Sequence, residues 1–449
     1  MRNLLTTIRN ILKIEDLRQR LFLTIALVFI YRLGSYVVLP GVDPNGLSDL
    51  ANSGSSGLLG LVNIFVGGSF GRASIFALGI MPYISASIAM QLLTLAIPYF
   101  QKLQKEGESG RRKINQTTRI LTVAVTAFQA LGYVTFLHSI ASSAIVIGSF
   151  LFTISTVVVL TAGTVFCMWL GEKITDKGIG NGISLLIAVG IMARLPFALA
   201  AELEAKLAAG SGGGLVFFVI EMAFLVAIVF GTIMLVQGTR RIPVQYAKRI
   251  VGNRQYGGVR QFIPLKINAA GVMPIIFAQA LMFIPSFVAT FFPDSEFMQN
   301  LQRGNFYHSF WYNFVFFFMI ILFTYFYTAL VINPSQMADD MKRNNGFIPG
   351  VKPGRKTAEF IDDVLSKITL PGSIFLAIIA ILPSFATVAG VNSQFANFFG
   401  GTSLLILVGV MLDTLQQVES HLLMRHYDGL LKGNARIKGR QAAGVYQQQ

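Results

Sequence analysis

The sequence predicts an all-α integral membrane protein: ten transmembrane helices in two inverted five-helix halves, with a re-entrant half-helix ahead of the second span. Three observations predict it. Hydrophobic residues make up 53% of the 449-residue chain and charged residues 13%, roughly half the charged share of a soluble domain. Of the 36 Lys and Arg residues, 31 fall in the N-terminal tail and in every second loop after it; because basic loops stay inside, this alternation places both termini in the cytoplasm. Finally, two motifs occur twice: GIMPYI at 79–84 returns as GVMPII at 271–276, and GISLLI at 182–187 returns as GTSLLI at 401–406. Each recurs five spans later, and an odd offset inverts the repeat, as in conduits whose two halves face one axis.

At about 20 residues per helical span, the ten spans read as 21–39, 74–97, 117–138, 145–170, 183–200, 215–237, 267–291, 311–332, 368–389 and 398–423. An amphipathic segment at 1–20 precedes them, and the first apolar run has full length and no small-residue cleavage site, so it is expected to stay as an anchor. The five-span halves are then 21–200 and 215–424, joined by an external loop at 201–214 and followed by a cytoplasmic tail at 425–449. Five basic residues break the alternation: Arg32, Arg72, Arg194, Lys206 and Arg303.

Between the first two spans lies SSGLLGLVNIFVGGSFG at 55–71. Its apolar part, 58–66, is too short to cross a bilayer, and its glycine-rich flanks favour a re-entrant half-helix. The functional reading is a movable plug made of Leu58, Leu59, Leu61, Val62, Asn63, Ile64, Phe65, Val66, Gly67 and Gly68, hinged at Gly67, Gly68 and Gly71; the alternative is an amphipathic helix lying on the outer surface.

The repeated motifs supply Ile80, Ile84, Ile183, Ile187, Ile276 and Ile406. Ile80 with Ile84, and Ile183 with Ile187, stand four apart and share one helical face near mid-span. Isoleucine against lipid or core is the ordinary case, but Ser85, Ser87, Ser184 and Ser403 beside these residues, with Pro and Gly nearby, are more expected at a cavity. An apolar collar blocks ions by dewetting yet stays deformable, which suits a bulky and chemically varied cargo.

Other chemistries find little support. Cys167 is the only cysteine, so there is no disulfide framework or thiol metal site. His138, His308, His421 and His426 are dispersed. Neither GxxxxGK[ST] nor a strand-borne GxGxxG occurs, and no cofactor, metal site or enzymatic centre is expected. Ion-coupled transport needs ionisable groups at membrane depth; the candidates are Arg32, Glu221 and Asp413, and a solute transporter would depend on Glu221 or Asp413. A lipid flippase or membrane scaffold would need no plug. Two long cytoplasmic loops remain, 238–266 with seven basic and no acidic residues, and 333–367 with mixed charge. Loops of this length usually bind something, and their charge would attract rRNA phosphates or an acidic motor-protein surface.

RASIFALGIMPYISASI (72–88), KEGESGRRK (105–113), GIGNGIS (178–184), YAKR (246–249), PLKINAAGVMP (264–274), FYTALVINP (326–334) and GTSLLI resemble, in order and over the whole length, the SecY family of bacterial protein-translocation channels. The resemblance implies two inverted halves that open like a clamshell about the 201–214 hinge, a central hourglass pore closed by the six isoleucines, and a plug at 58–71. It also implies a lateral gate between spans two and three on one side and seven and eight on the other, with Ser85, Gln91, Gln129 and Asn268 as polar gate residues. The implied setting is the bacterial cytoplasmic membrane, with membrane lipids around the chain. The implied partners are small SecE-like and SecG-like membrane subunits, the SecA ATPase, the ribosome and the secretory or nascent polypeptide. Docking falls on Lys248, Arg249 and Arg254 in the first loop and Lys352, Arg355 and Lys356 in the second. Two positions depart from the family: an Arg-Arg pair reads as Asn253 and Arg254, and the arginine of a PGxRPG pattern is Lys352, which keeps the charge and loses the bidentate fork.

Overall fold

A computed structural model of the chain describes residues 14–47, 63–140, 144–208, 214–246, 249–251, 254–256, 260–289 and 309–442. Every predicted span contains a helix. α1 is Glu15–Gly34, α2 Met81–Ala96, α3 Pro98–Lys105, α4 Glu108–Ile140, α5 Ser149–Lys177, α6 Gly182–Ala208 and α7 Gly214–Gln237. The second group is α8 Met273–Ala289, α9 Phe310–Val331, α10 Pro334–Arg343, α11 Arg355–Val388, the short α12 Ser393–Ala396 and α13 Gly401–Ala442. Among the described residues seven helices are long and apolar enough to cross a membrane, and α2 with α3, bent by 95° at their junction, has the length and composition of an eighth span if the pair is taken as one. The bend follows from Pro98, which pushes Ile97 into extended backbone (φ −106°, ψ 119°) and ends α2. On α7 large apolar side chains, among them Phe217 and Phe230, are exposed, as a helix apolar all round requires in a membrane.

The helix boundaries differ from the apolar runs at two places. The first run extends to Leu39, but α1 stops at Gly34, where an added Cβ would lie 2.1 Å from the Phe76 ring. Residues 37–39 then run antiparallel to 73–75: Leu39 N–H donates to Ala73 O at 2.8 Å and Ile75 N–H to Val37 O at 2.9 Å. The second run starts at Ser74, yet this pairing and the turns after it, closed by Ala77 N–H to Ser74 O and Gly79 N–H to Phe76 O, keep 74–80 out of the helix, which begins only at Met81.

The loop at 238–266 departs from an all-helical reading. Thr239–Tyr246 (β1) pairs antiparallel with Arg260–Lys266 (β4), and a smaller pair, Arg249–Val251 (β2) with Arg254–Tyr256 (β3), extends beyond them. Gly346–Phe347 (β5) adds to the end of β1 opposite Gln245 and Tyr246. The two prolines, Pro243 and Pro264, sit where β5 does not pair, so neither removes a bond from a central strand. Ile242, Val244 and Leu265 form one buried cluster with Met341 of α10, Ile348, and Ile361 and Leu365 of α11. The two long loops are thus a single packed unit.

Candidate functional site

Both repeated motifs mark helix starts. Gly79 and Gly271 adopt positive φ, 52° and 63°, a conformation glycine enters without steric cost, and two residues later Met81 and Met273 begin α2 and α8. In each case Pro follows at the second helical position, Pro82 or Pro274, where its missing N–H costs nothing. α6 and α13 likewise start at Gly182 and Gly401. Ile84, Ile183 and Ile276 therefore lie in the first turn of their helices, Ile187 and Ile406 at the sixth position of theirs, and Ile80 at an N-cap.

These starts converge. Ile187 and Ile406 are buried in one apolar cluster, and Ile84, Ile183 and Ile276 pack against it. Ile80 is 4% exposed and belongs to the neighbouring cluster with Tyr31, Phe76 and Leu186, against which Ile84 and Ile183 also pack.

Of the plug candidates, Leu58, Leu59, Leu61 and Val62 lie outside the described residues. Asn63, Ile64, Phe65, Val66, Gly67 and Gly68 are described and buried. Ile64 and Phe65 share the cluster of Ile187 and Ile406, so they and the collar form one apolar body. Val66 and Phe70 turn the other way, into the cluster of Leu137 and Phe152. Hydrogen bonds close the turn on itself: Gly68 N–H donates to Asn63 O at 2.7 Å, and Gly71 N–H to Asn63 Oδ1 at 3.0 Å. Tyr133 Oη donates to Phe70 O at 2.7 Å and anchors its end. On its other flank the segment touches α6 at Gly190, where an added Cβ would lie 2.6 Å from Phe65 O.

Three arginines also reach this turn. Arg72 Nη2 donates to Gly67 O at 3.0 Å, and Arg32 Nη1 approaches the same oxygen at 3.4 Å. The Arg194 guanidinium lies so near Gly68 that a Cβ there would be 2.8 Å from its Cζ. Arg72 stacks on the Tyr36 ring at 4.3 Å. Sequence reasoning assigned no role to Arg72 or Arg194; the available signal was that both, with Arg32 and Lys206, are exceptions to the alternating charge.

Lys206 ends in an ion cluster. Its Nζ lies 3.4 Å from Glu202 Oε1 and 2.9 Å from Glu221 Oε1. It also donates to Gly390 O at 3.3 Å, and Glu202 Oε2 accepts from Asn392 N–H at 2.8 Å. Glu202 and Lys206 stand on α6, Glu221 on α7, and residues 390 and 392 between α11 and α12, so the cluster ties the first five spans to the last five. Glu221 is thereby engaged in a structural contact. Asp413 is exposed on α13 and makes no ion pair among the described residues. Near the opposite end of α6, Gly180 N–H donates to Gln417 Oε1 at 2.8 Å.

The four gate candidates are only loosely assembled. Ser85 and Gln91 lie on α2 and Gln129 on α4, which packs on α2, while Asn268 precedes α8. Among the described residues no hydrogen bond joins any two of them. Asn268 is 6% exposed, and its Oδ1 has no partner. Ile88 of α2 packs against the cluster of Ile275, Phe323 and Leu405, and so α2 contacts the second half along this seam.

Of the docking candidates, Lys248 lies outside the described residues. Arg249 opens β2 and Arg254 opens β3, so both stand at the far end of the hairpin, with Arg254 opposite Val251. Lys352 is exposed in a turn whose Gly350 and Gly354 have φ of 85° and 97°; its carbonyl accepts from Thr357 Oγ1 at 3.0 Å. Arg355 and Lys356 both pair with Glu359, at 3.2 and 3.0 Å, exposed contacts worth little to stability. Among the described residues no group of His, Cys, Asp and Glu has the arrangement of a metal site, and Cys167 is buried.

Comparison with known proteins places these features in a family. The SecY family profile matches residues 74–415. A protein translocase subunit SecY of Streptomyces galbus is 44% identical over 96% of this chain and all of its own; one of Corynebacterium glutamicum is 43% identical over 94% of this chain and 98% of its own. Among solved structures, one described as a protein conducting channel superposes with a TM-score of 0.60 at 15% identity over 90% of this chain and 92% of its own. Sec61 of the canine ribosome-channel complex superposes with a TM-score of 0.58 at 15% identity over the same shares. These two likenesses establish the fold.

Proposed function

Because the chain belongs to the SecY family, we propose that it is the channel-forming subunit of a bacterial protein translocase, passing unfolded polypeptides outward and releasing apolar segments sideways into lipid. It is a multi-pass membrane protein, and protein translocation is its function. The observation that carries the mechanism is the single apolar body in which Ile84, Ile183, Ile187, Ile276 and Ile406 meet Ile64 and Phe65. Four helices contribute the isoleucines, so any motion of one half against the other widens the collar. A collar without hydrogen-bonding groups holds no solute, sheds water while narrow and yields to any side chain pushed through it.

In this reading residues 58–71 are the plug and leave when the collar widens. Residues 201–214 with the Glu202, Lys206 and Glu221 cluster form the hinge, and the seam beside α2 and α8 opens toward lipid at Ser85, Gln91, Gln129 and Asn268. The orphaned Asn268 Oδ1 favours water entering this seam, since a buried acceptor without a partner is unfavourable. The chain itself is no enzyme and takes its driving force from SecA or the ribosome, docked on Lys248, Arg249, Arg254, Lys352, Arg355 and Lys356. SecE-like and SecG-like subunits cover part of the exposed apolar surface, and both termini lie in the cytoplasm of a bacterium.

Proteoliposomes containing the chain and its copurifying subunits should import an unfolded secretory precursor when SecA and ATP are added, and Asp413→Asn should leave import intact. Ion-driven uptake of a small solute that disappears in Asp413→Asn, with no precursor import, would reverse the reading in favour of a transporter.

A further inference from the structure

The arginines at the plug turn are unusual in what they lack. Arg32, Arg72 and Arg194 bring three positive charges to Gly67 and Gly68, and among the described residues no carboxylate pairs with any of them. Each guanidinium carries a fork of N–H donors and no acceptor. The acceptors they meet are Gly67 O, shared by Arg72 and Arg32, and Ser35 O, 3.4 Å from Arg72 Nε. Arg194 donates to no partner among the described residues. Like charges this close repel, more so where water is partly excluded, and two carbonyl dipoles with the face of the Tyr36 ring, which lies under Arg72 and Arg32, supply no full negative charge to balance three of them. Guanidinium forks match oxyanions best, because two parallel N–H groups meet two oxygens.

We propose that Arg32, Arg72 and Arg194 form a binding site for a small oxyanion of the sulfate or phosphate type, which the Gly67 carbonyl occupies as a tethered stand-in while the plug is seated. This rests on the reading of residues 58–71 as a plug. The turn and the anion compete for the same donors, so the anion binds only once the turn has left, and it holds the channel open. By linkage, an anion at ten times its dissociation constant raises the unseated fraction about 11-fold.

Val66→Cys in a Cys167→Ala background reports the turn, because Val66 is 2% exposed when seated. Maleimide labelling of the full chain with its copurifying subunits is timed in sodium chloride and in sodium sulfate at equal ionic strength. Sulfate otherwise strengthens apolar burial and would slow labelling, so the two effects have opposite signs. The expected result is severalfold faster labelling in sulfate, abolished in Arg72→Gln with Arg194→Gln and partly kept in Arg72→Lys. Running the series in micelles and in phospholipid discs separates the sources: a response to added sulfate in micelles assigns a dissolved anion, whereas labelling already fast in discs without sulfate, and slow there in the double variant, assigns a headgroup phosphate. Labelling that sulfate slows or leaves unchanged, or speeds equally in the double variant, overturns the site. A cysteine that stays unlabelled even while a precursor is crossing overturns the plug reading instead, and the site with it.

Discussion

Gly190→Ala is the sharpest test of how the 63–71 turn, the proposed plug, is seated. Gly190 lies on α6, facing the plug turn, and a Cβ added there would stand 2.6 Å from Phe65 O and 3.2 Å from Gly67 N. Both are backbone atoms, which cannot rotate away as a flexible side chain would, so the turn itself must shift. Overpacking of this kind costs about 1–3 kcal/mol. The cost falls on the seated state, because the three atoms nearest the added methyl all belong to the turn. The unseated fraction should therefore rise roughly 5- to 150-fold. α6 gains in the exchange, since alanine is a better helix former than glycine by about 1 kcal/mol, and a general loss of structure is not the expected route. In planar bilayers the variant should conduct ions more often at rest, and Val66→Cys on this background should label faster. Resting conductance and labelling equal to the parent would refute the close packing of Gly190 against Phe65 and Gly67.

Further outcomes are set by the other interactions. Replacing Ile84, Ile187, Ile276 and Ile406 together by Ser should wet the collar and leak ions; conductance matching the parent would remove them from the seal. Lys206→Met leaves Glu202, with 1% side-chain exposure, beside Glu221 without a counter-charge, at a cost of roughly 3 kcal/mol. Its thermal midpoint should fall and recover when Glu202→Gln and Glu221→Gln are added; no recovery would mean that the charge is not what matters. Arg249→Glu with Arg254→Glu should weaken ribosome sedimentation and lower the salt slope by about one for each phosphate left without its arginine, whereas binding unchanged at every salt concentration would exclude the hairpin tip. Lys352→Arg should transport normally or slightly better and Lys352→Glu poorly, and normal SecA-driven import by the Glu form would make Lys352 a bystander.

The apolar helices and the meeting of the repeated isoleucines were legible because they rest on strong signals: long apolar runs, and motifs repeated in order. Ile84 and Ile276 occupy equivalent places in their motifs and equivalent first turns in their helices. The place of those turns was less legible. Hydropathy registers how apolar 74–80 and 267–272 are, not that Gly79 and Gly271 hold the backbone out of the helix until Met81 and Met273. The hairpin was hidden for a related reason: Pro243 and Pro264 argue for turns, and only the register, which leaves both clear of β5, makes them tolerable in strands. The arginines at Gly67 could be singled out in the sequence as exceptions to the alternating charge, but not as a group that meets. They come from distant stretches of the chain, and nothing but the fold brings Arg194 to Arg32 and Arg72.

The hairpin unit and the junction of the two halves are joined mechanically. α11 is a helix of 34 residues, about 50 Å long at 1.5 Å per residue. Arg355 begins it beside the docking turn, its first turns are embedded in the hairpin core through Ile361 and Leu365, and just past its far end lie Gly390 and Asn392, bonded to Lys206 and Glu202. Tilting the hairpin would therefore turn a long arm whose far end is bonded to the junction, and a small rotation at the hairpin would reach that end as a displacement. Pro371 and Pro383 interrupt the backbone hydrogen-bond ladder within this arm, giving it two points at which to flex under load.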